Sequence, residues 1–137
     1  MKLLIILLPI LLCADVGVLT KIVDGDTLYF NTNNKVVKCR IKYIDTPESY
    51  MNNKLKKDIY KCNVSKKDMK SAGKSATRYA KSILTLNKTY EYTVKGKDRY
   101  GRSICVVDNG STTFHEQMVI GGYASIFRYY MNKKELD

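Results

Sequence analysis

The chain of 137 residues has no tryptophan, one histidine and two prolines. With a single histidine, His115, nothing supports a His nucleophile or a His-based metal motif. So few prolines, beside an ordinary apolar share of 45%, argue against long-range disorder. Acidic residues are scarce: 13 Asp+Glu stand against 24 Lys+Arg, a formal net charge of +11. That imbalance suits an anionic partner such as nucleic acid or an acidic membrane surface; the plainer reading is a solvated lysine-rich face. The four cysteines have no zinc-site spacing. There is no internal repeat and no low-complexity segment.

A long apolar run is also missing. Residues 3–12 are apolar, interrupted by Pro9, and too short to span a bilayer comfortably. After the positive start Met1-Lys2, and before Cys13-Ala14, this run reads as a signal peptide over residues 1–14. The expected location is secreted or periplasmic, with a lipid anchor at Cys13 or an uncleaved N-terminal anchor as alternatives. The remaining 15–137 suffice for one small domain. Cys39 and Cys105 sit in apolar strand patterns and read as buried small hydrophobes. Export would also allow one disulfide among Cys39, Cys62 and Cys105, with the pair open.

Strands are expected over residues 16–23, 28–30 and 36–44. The first two are separated by Asp24-Gly25-Asp26-Thr27, a strong tight-turn signal, and the next two by an Asn-rich turn. In the third, Val37, Cys39, Ile41 and Tyr43 alternate with Lys38, Arg40 and Lys42, until Pro47 makes a further ladder N–H impossible. The first half of the polar stretch 49–70 reads as a basic surface loop. Ser65 to Asp68 has the form of a helix cap. Ala72, Ala76, Tyr79, Ala80, Ile83 and Leu84 then recur at helical spacing, although Gly73 weakens the early part and Asn87 is the expected close. Strands follow over 90–94 and 102–107, joined by a tight basic loop. Thr113 and Glu116 have capping-box form before a short helix, which leaves His115 structural. Gly121-Gly122 ends that helix. Three strands, a helix, two strands and a short helix is the order of an OB-type barrel: a mainly β fold with five strands and two or three helices.

The stretch Arg40 to Glu48 carries the densest chemistry. One guanidinium fork and two carboxylates, Asp45 and Glu48, lie on one stiff segment, which suits a phosphate and a hard cation. If the first three strands are neighbours, Asp26 meets Asp45. Glu48 is placed to activate water, a role that needs reach more than a shifted pKa. Arg40 and Arg102 match phosphate oxygens two at a time.

Three motifs stand in order: Val23-Asp24-Gly25-Asp26-Thr27, Arg40 through Asp45-Thr46-Pro47-Glu48, and Asp98-Arg99-Tyr100-Gly101-Arg102. Over about residues 16 to 130 the chain resembles the thermonuclease, or staphylococcal nuclease-like, family. The resemblance implies a calcium-dependent phosphodiesterase that hydrolyses DNA and RNA to products with 3′-phosphates. It implies Ca²⁺ on Asp26, Asp45 and the carbonyl of Thr46, with Glu48 as the proposed base and Arg40 and Arg102 as the phosphate clamp. Tyr100 and Tyr130 match positions that contact the nucleotide. Arg128 stands where the best-known member has a further tyrosine, and Lys97 and Arg99 are expected to meet flanking phosphates. Phe127 is expected in the core. The family ends in a third helix and an apolar tail with a tryptophan. Here only Lys133-Lys134-Glu135-Leu136 offers the start of that helix, so an incomplete C-terminal helix is expected. A monomer without a stable protein partner is expected. The rival functions are an OB module that holds single-stranded nucleic acid without cutting it, and a cationic envelope protein.

Overall fold

The computed structural model describes residues 14–131 and 133–136; the expected signal peptide, apart from Ala14, lies outside them. Strands β1 (Asp15–Asp24), β2 (Thr27–Thr32) and β3 (Lys35–Ile41) form an antiparallel meander. Its second turn places both Asn33 and Asn34 at positive φ, 51° and 60°, the pair of left-handed residues a two-residue hairpin requires. Past β3 come the short β4 (Ile44–Asp45), helices α1 (Asn53–Cys62) and α2 (Lys66–Ile83), then β5 (Thr89–Lys97) and β6 (Ser103–Asn109). The first half of β1 pairs with β5, and β5 pairs with β6. Parallel pairing of β3 with β6 closes the five-stranded, OB-like barrel. The chain continues through β7 (Thr112–Thr113), α3 (Phe114–Ile120), β8 (Ser125–Ile126), a 3₁₀ turn over Arg128–Tyr130, and a single helical turn, α4 (Lys133–Leu136).

Inside the barrel Leu19, Leu28, Phe30, Ile41, Tyr92 and Val107 are buried, and the Phe30 and Tyr92 rings stack with centroids 4.9 Å apart. Ala76 and Ala80 of α2 and Phe114 and Met118 of α3 join the same core. Small residues on α2 let its axis come close to the strands, and α3 is set by its capping box. There Thr113 Oγ1 accepts from the Glu116 N–H while Glu116 accepts from the Thr113 N–H. Among the described residues no helix is long and apolar enough to cross a membrane.

Three local expectations are corrected. The basic surface loop contains helix α1: Asn52 caps it by accepting from the Leu55 N–H at 2.8 Å, and Leu55 is fully buried. The third strand does not run to residue 44. It stops at Ile41, and Tyr43 has φ 73°, which turns the chain before β4 pairs with β8. Nor do the basic residues of that strand share one solvated face. Arg40 and Lys42 are buried, 6% and 5% exposed, because each finds carboxylate partners. Lys42 Nζ donates to both oxygens of Glu135, at 2.7 and 2.9 Å, and Tyr43 Oη donates to Glu135 as well; these contacts tie α4 to the barrel.

Cys39 and Cys105, 66 positions apart in sequence, form a disulfide across the β3–β6 seam, and Cys62 is free and exposed. The strand patterns had read both as buried and left the pairing open. Here the two sulfurs are in the core and joined. Bridging so long a loop restricts the unfolded chain. Replacing both cysteines by alanine should lower the unfolding free energy by about 2–4 kcal/mol, seen as a lower urea midpoint. Dithiothreitol should then leave the double variant unmoved while it destabilises the parent.

Candidate functional site

An open cleft of about 750 Å³ lies at one side of the barrel, lined by Asp24, Asp26, Arg40, Asp45 and Glu48, with Arg99, Tyr100 and Arg102 also on its wall. Each element delivers its residue for a local reason. The Asp24–Thr27 turn is held by the Asp26 N–H donating to Asp24 Oδ1 at 3.1 Å, a self-made Asx turn. Asp26 then points inward, where its Oδ2 accepts from both the N–H and the hydroxyl of Thr46, each at 3.0 Å. That pair of bonds ties the first turn to the segment after β4. Arg40, at the end of β3, holds Asp45 through Nη2 at 2.9 Å and Asp26 at 3.3 Å. Its Nη1 donates to the carbonyls of Ile41 and Ile44. One guanidinium therefore brings the two carboxylates to a common point.

Helix α2 supplies the backing. A Cβ added at Gly73 would lie 2.5 Å from the Glu48 carbonyl carbon and 2.6 Å from the Ser49 nitrogen. The glycine that weakened the helix pattern in sequence is where the Glu48 segment rests on the helix. Gly25 is similarly close to Thr46 Cγ2, at 2.8 Å to an added Cβ. Glu48 itself accepts from the Asn52 side chain through Oε2 at 2.8 Å, so the cap of α1 also orients it.

The charges are strongly coupled. Burial alone would raise the pKa of Asp26, but Arg40, the Thr46 N–H and Lys54 together hold it below the usual carboxylate range. Burial and the neighbouring Asp26 charge push Asp24 up to about 7. Burial also raises Asp45, against the pull of Lys54 and Arg40. Burial would lower Lys54, yet Asp45, Asp26 and Glu48 hold its ammonium above its ordinary value.

On the opposite wall the 98–102 loop is organised by one buried carboxylate. Asp98 Oδ1 accepts from the Tyr100 and Arg102 N–H groups, both at 2.9 Å, and Oδ2 accepts from Arg102 Nε at 2.6 Å. Gly101, at φ 79°, supplies the left-handed residue the turn needs. Tyr100 is 69% exposed, with the Arg99 and Arg102 guanidinium carbons 4.8 and 5.7 Å from its ring centroid.

Residues 38–137 match the family described as Staphylococcal nuclease homologue, most of the chain, and they include the end of β3, Glu48 and the 98–102 loop. The chain belongs to the staphylococcal nuclease family. The thermonuclease of Staphylococcus hyicus is 30% identical over 115 residues, covering 83% of this chain and 60% of that protein. A protein of Methanocaldococcus jannaschii, named only as uncharacterized, is 31% identical over 123 residues, covering 81% of this chain and 58% of its own length. An uncharacterized endonuclease of Escherichia coli O157:H7 is 31% identical over 121 residues, covering 87% and 66%. The chain thus spans between 58% and 66% of the length of these relatives.

Of the expected site residues, the cleft is lined by Asp26, Arg40, Asp45, Glu48, Arg99, Tyr100 and Arg102, and Thr46 is tied to Asp26 beside it. Lys97, at the end of β5, is exposed and does not line the cleft, nor does the exposed Arg128 of the 3₁₀ turn. Tyr130 closes that turn. His115 lies on α3, outside the cleft, with its ring 5.0 Å from that of Tyr43. Phe127, expected in the core, instead lines the cleft with the Arg40 guanidinium carbon 5.8 Å from its ring centroid.

Among the cleft residues that sequence reading missed are Asp24, read as a turn former only, Asn52 and Lys54. An asparagine followed by Leu55 and Ile59 four residues apart was the available signal for the last two. Among the described residues no three Asp, Glu, His or Cys side chains could hold a metal by themselves. The fit of a hard cation rests instead on a mixed oxygen set. The Asp45 carboxylate and the Thr46 carbonyl already converge on one positive charge, the Lys54 ammonium, at 2.9 and 2.6 Å. Asp26 lies beside them, bonded to Arg40 and to the Thr46 hydroxyl.

Two outcomes test this construction. Helix propensity alone would have Gly73→Ala stabilise the protein by about 1 kcal/mol. The contact with Glu48 reverses the sign, and calorimetry should show a net loss of about 1–3 kcal/mol. Asp98→Asn should cost about 1–3 kcal/mol at neutral pH. Burial would raise Asp98, but its bonds from Arg102 and Tyr100 hold its carboxyl below the ordinary range. Its contribution is therefore present above the unfolded carboxylate value and lost as the pH falls through the folded one. The gap between parent and variant in urea melts should close with acidification.

Proposed function

We propose that this chain is a calcium-dependent phosphodiesterase that cuts DNA and RNA and leaves 3′-phosphates. The observation that carries the reading is the meeting, in one cleft, of a carboxylate group at the floor and two guanidiniums on the wall. Asp26, Asp45 and the Thr46 carbonyl would hold the calcium, which supplies charge against a non-bridging phosphate oxygen. Glu48 takes the proton of the attacking water. It stands on a segment backed by Gly73 and oriented by Asn52, which favours a fixed position over a mobile one.

The two arginines divide the work. Arg40's terminal nitrogens are committed to two carbonyls and two carboxylates, so it acts through charge and by holding the acids. Arg102 is anchored through Nε to Asp98, with its side chain 30% exposed, so it meets the phosphate directly as charge builds on the equatorial oxygens. Tyr100 offers a face for a base, a contact tolerant of sequence. Lys97, Arg99 and Arg128 meet flanking phosphates, and Tyr130 takes the second nucleotide contact. The lysine-rich α1 and α2 extend the positive surface away from the cleft. Export to an oxidising compartment agrees with the Cys39–Cys105 bridge.

The test is release of acid-soluble nucleotides from single-stranded DNA. Turnover should need calcium and stop with chelator. Glu48→Gln and Arg102→Lys should each reduce kcat by about 10²–10⁴-fold, with the fold intact by circular dichroism. Tight DNA binding with no cleavage at any calcium concentration would replace the enzyme by a binding module.

A further inference from the structure

Lys54 is a lysine in an unusual place. It is the second residue of α1, and its Nζ donates to the Thr46 carbonyl at 2.6 Å. The same nitrogen lies 2.9 Å from Asp45 Oδ1 and 3.3 Å from Glu48 Oε1. An ammonium has three hydrogens, and here it is faced by three oxygens, from Asp45, Thr46 and Glu48. Lys54 is not a surface side chain that fell inward by chance. Its neighbour Leu55 is fully buried, and the cap residue Asn52 bonds both the Leu55 N–H and Glu48. The start of α1 is thereby fixed against the cleft, and the lysine's side chain is only 33% exposed.

We propose that Lys54 is a built-in counter-cation that occupies the metal position of the cleft, so that calcium binds only when the Lys54 ammonium withdraws. The inference rests on the reading of Asp45 and Thr46 as calcium ligands. The Lys54 ammonium fills the space against the Thr46 carbonyl and Asp45 that a calcium ion on the same two groups would need, and two cations placed that close repel each other. The protein therefore has two states of one site, one closed by its own lysine and one open to the metal. The closed state holds the acids together without metal, and it weakens calcium binding by the fraction of time it is populated. Because the lysine belongs to α1, entry of calcium is linked to the position of that helix.

The experiment is calorimetric titration of calcium chloride into the full chain, compared with Lys54→Met and with Lys56→Met, a control that removes the same charge from the same helix outside the cleft. The Lys54 variant should bind calcium at least tenfold more tightly and melt at a lower temperature without metal, and the control should stay within about twofold of the parent. An equal or weaker affinity in Lys54→Met overturns the inference while leaving the calcium reading in place. If neither parent nor variant binds calcium, and both are folded by circular dichroism, the calcium reading itself fails and the inference falls with it. Should Lys54→Met not fold, nitrogen-detected spectra of the parent decide. The Lys54 ammonium signal, protected from exchange without metal, should disappear as calcium is added, and a signal that calcium leaves unchanged overturns the proposal.

Discussion

The buried guanidinium of Arg40 is the constraint on which the cleft depends. It gathers the carbonyls of Ile41 and Ile44 and the carboxylates of Asp26 and Asp45, and so joins the end of β3, the first turn and β4. A charge this deeply placed, 6% exposed, is tolerable only while its partners are present. Removing one partner of such a group is far more damaging than replacing the whole set. The carboxylates depend on it too: without the guanidinium, the buried Asp26 would lose its ion pair. Stability and site geometry are here one set of contacts.

Around that centre the helices serve as a rigid wall. α2 brings Gly73 against the Glu48 backbone and Ala76 beside Gly25, so two of the three motif segments rest on one helix face. α1 adds the cap that orients Glu48 and the ammonium that neutralises the acids. The opposite wall is separately organised, by the Asp98 carboxylate. Walls built on independent anchors can differ in mobility.

Much of this was legible in the residues. Asp-Gly-Asp, the Asn pair, the capping box and the alanine spacing of α2 are local signals, and each element formed where its signal stood. What escaped depended on distant partners. Alternation along the third strand set Arg40 and Lys42 apart from its apolar face but named no partners for them within the protein, since nothing nearby reveals that Asp26 and Glu135 arrive to receive them. Helix α1 was hidden because its apolar face is little more than Leu55 and Ile59. Its stability comes from the Asn52 cap and packing on α2. The role of Gly73 was invisible because propensity counts the lost side chain and not the backbone that takes its space. Phe127 misled because an aromatic in an apolar run looks the same whether it meets the core or a guanidinium.

The seam between β3 and β6 has one more consequence. Among the described pairings it is the only parallel one, three residue pairs long, and a short parallel ladder is the weak place at which a closed barrel would ordinarily open. The disulfide sits at that place, and Arg40 follows Cys39 directly in the chain. The bridge therefore opposes separation of the two strands at this seam. The guanidinium stays registered with the barrel through partial openings that would otherwise carry it away, so the site can outlast losses of order elsewhere in the molecule.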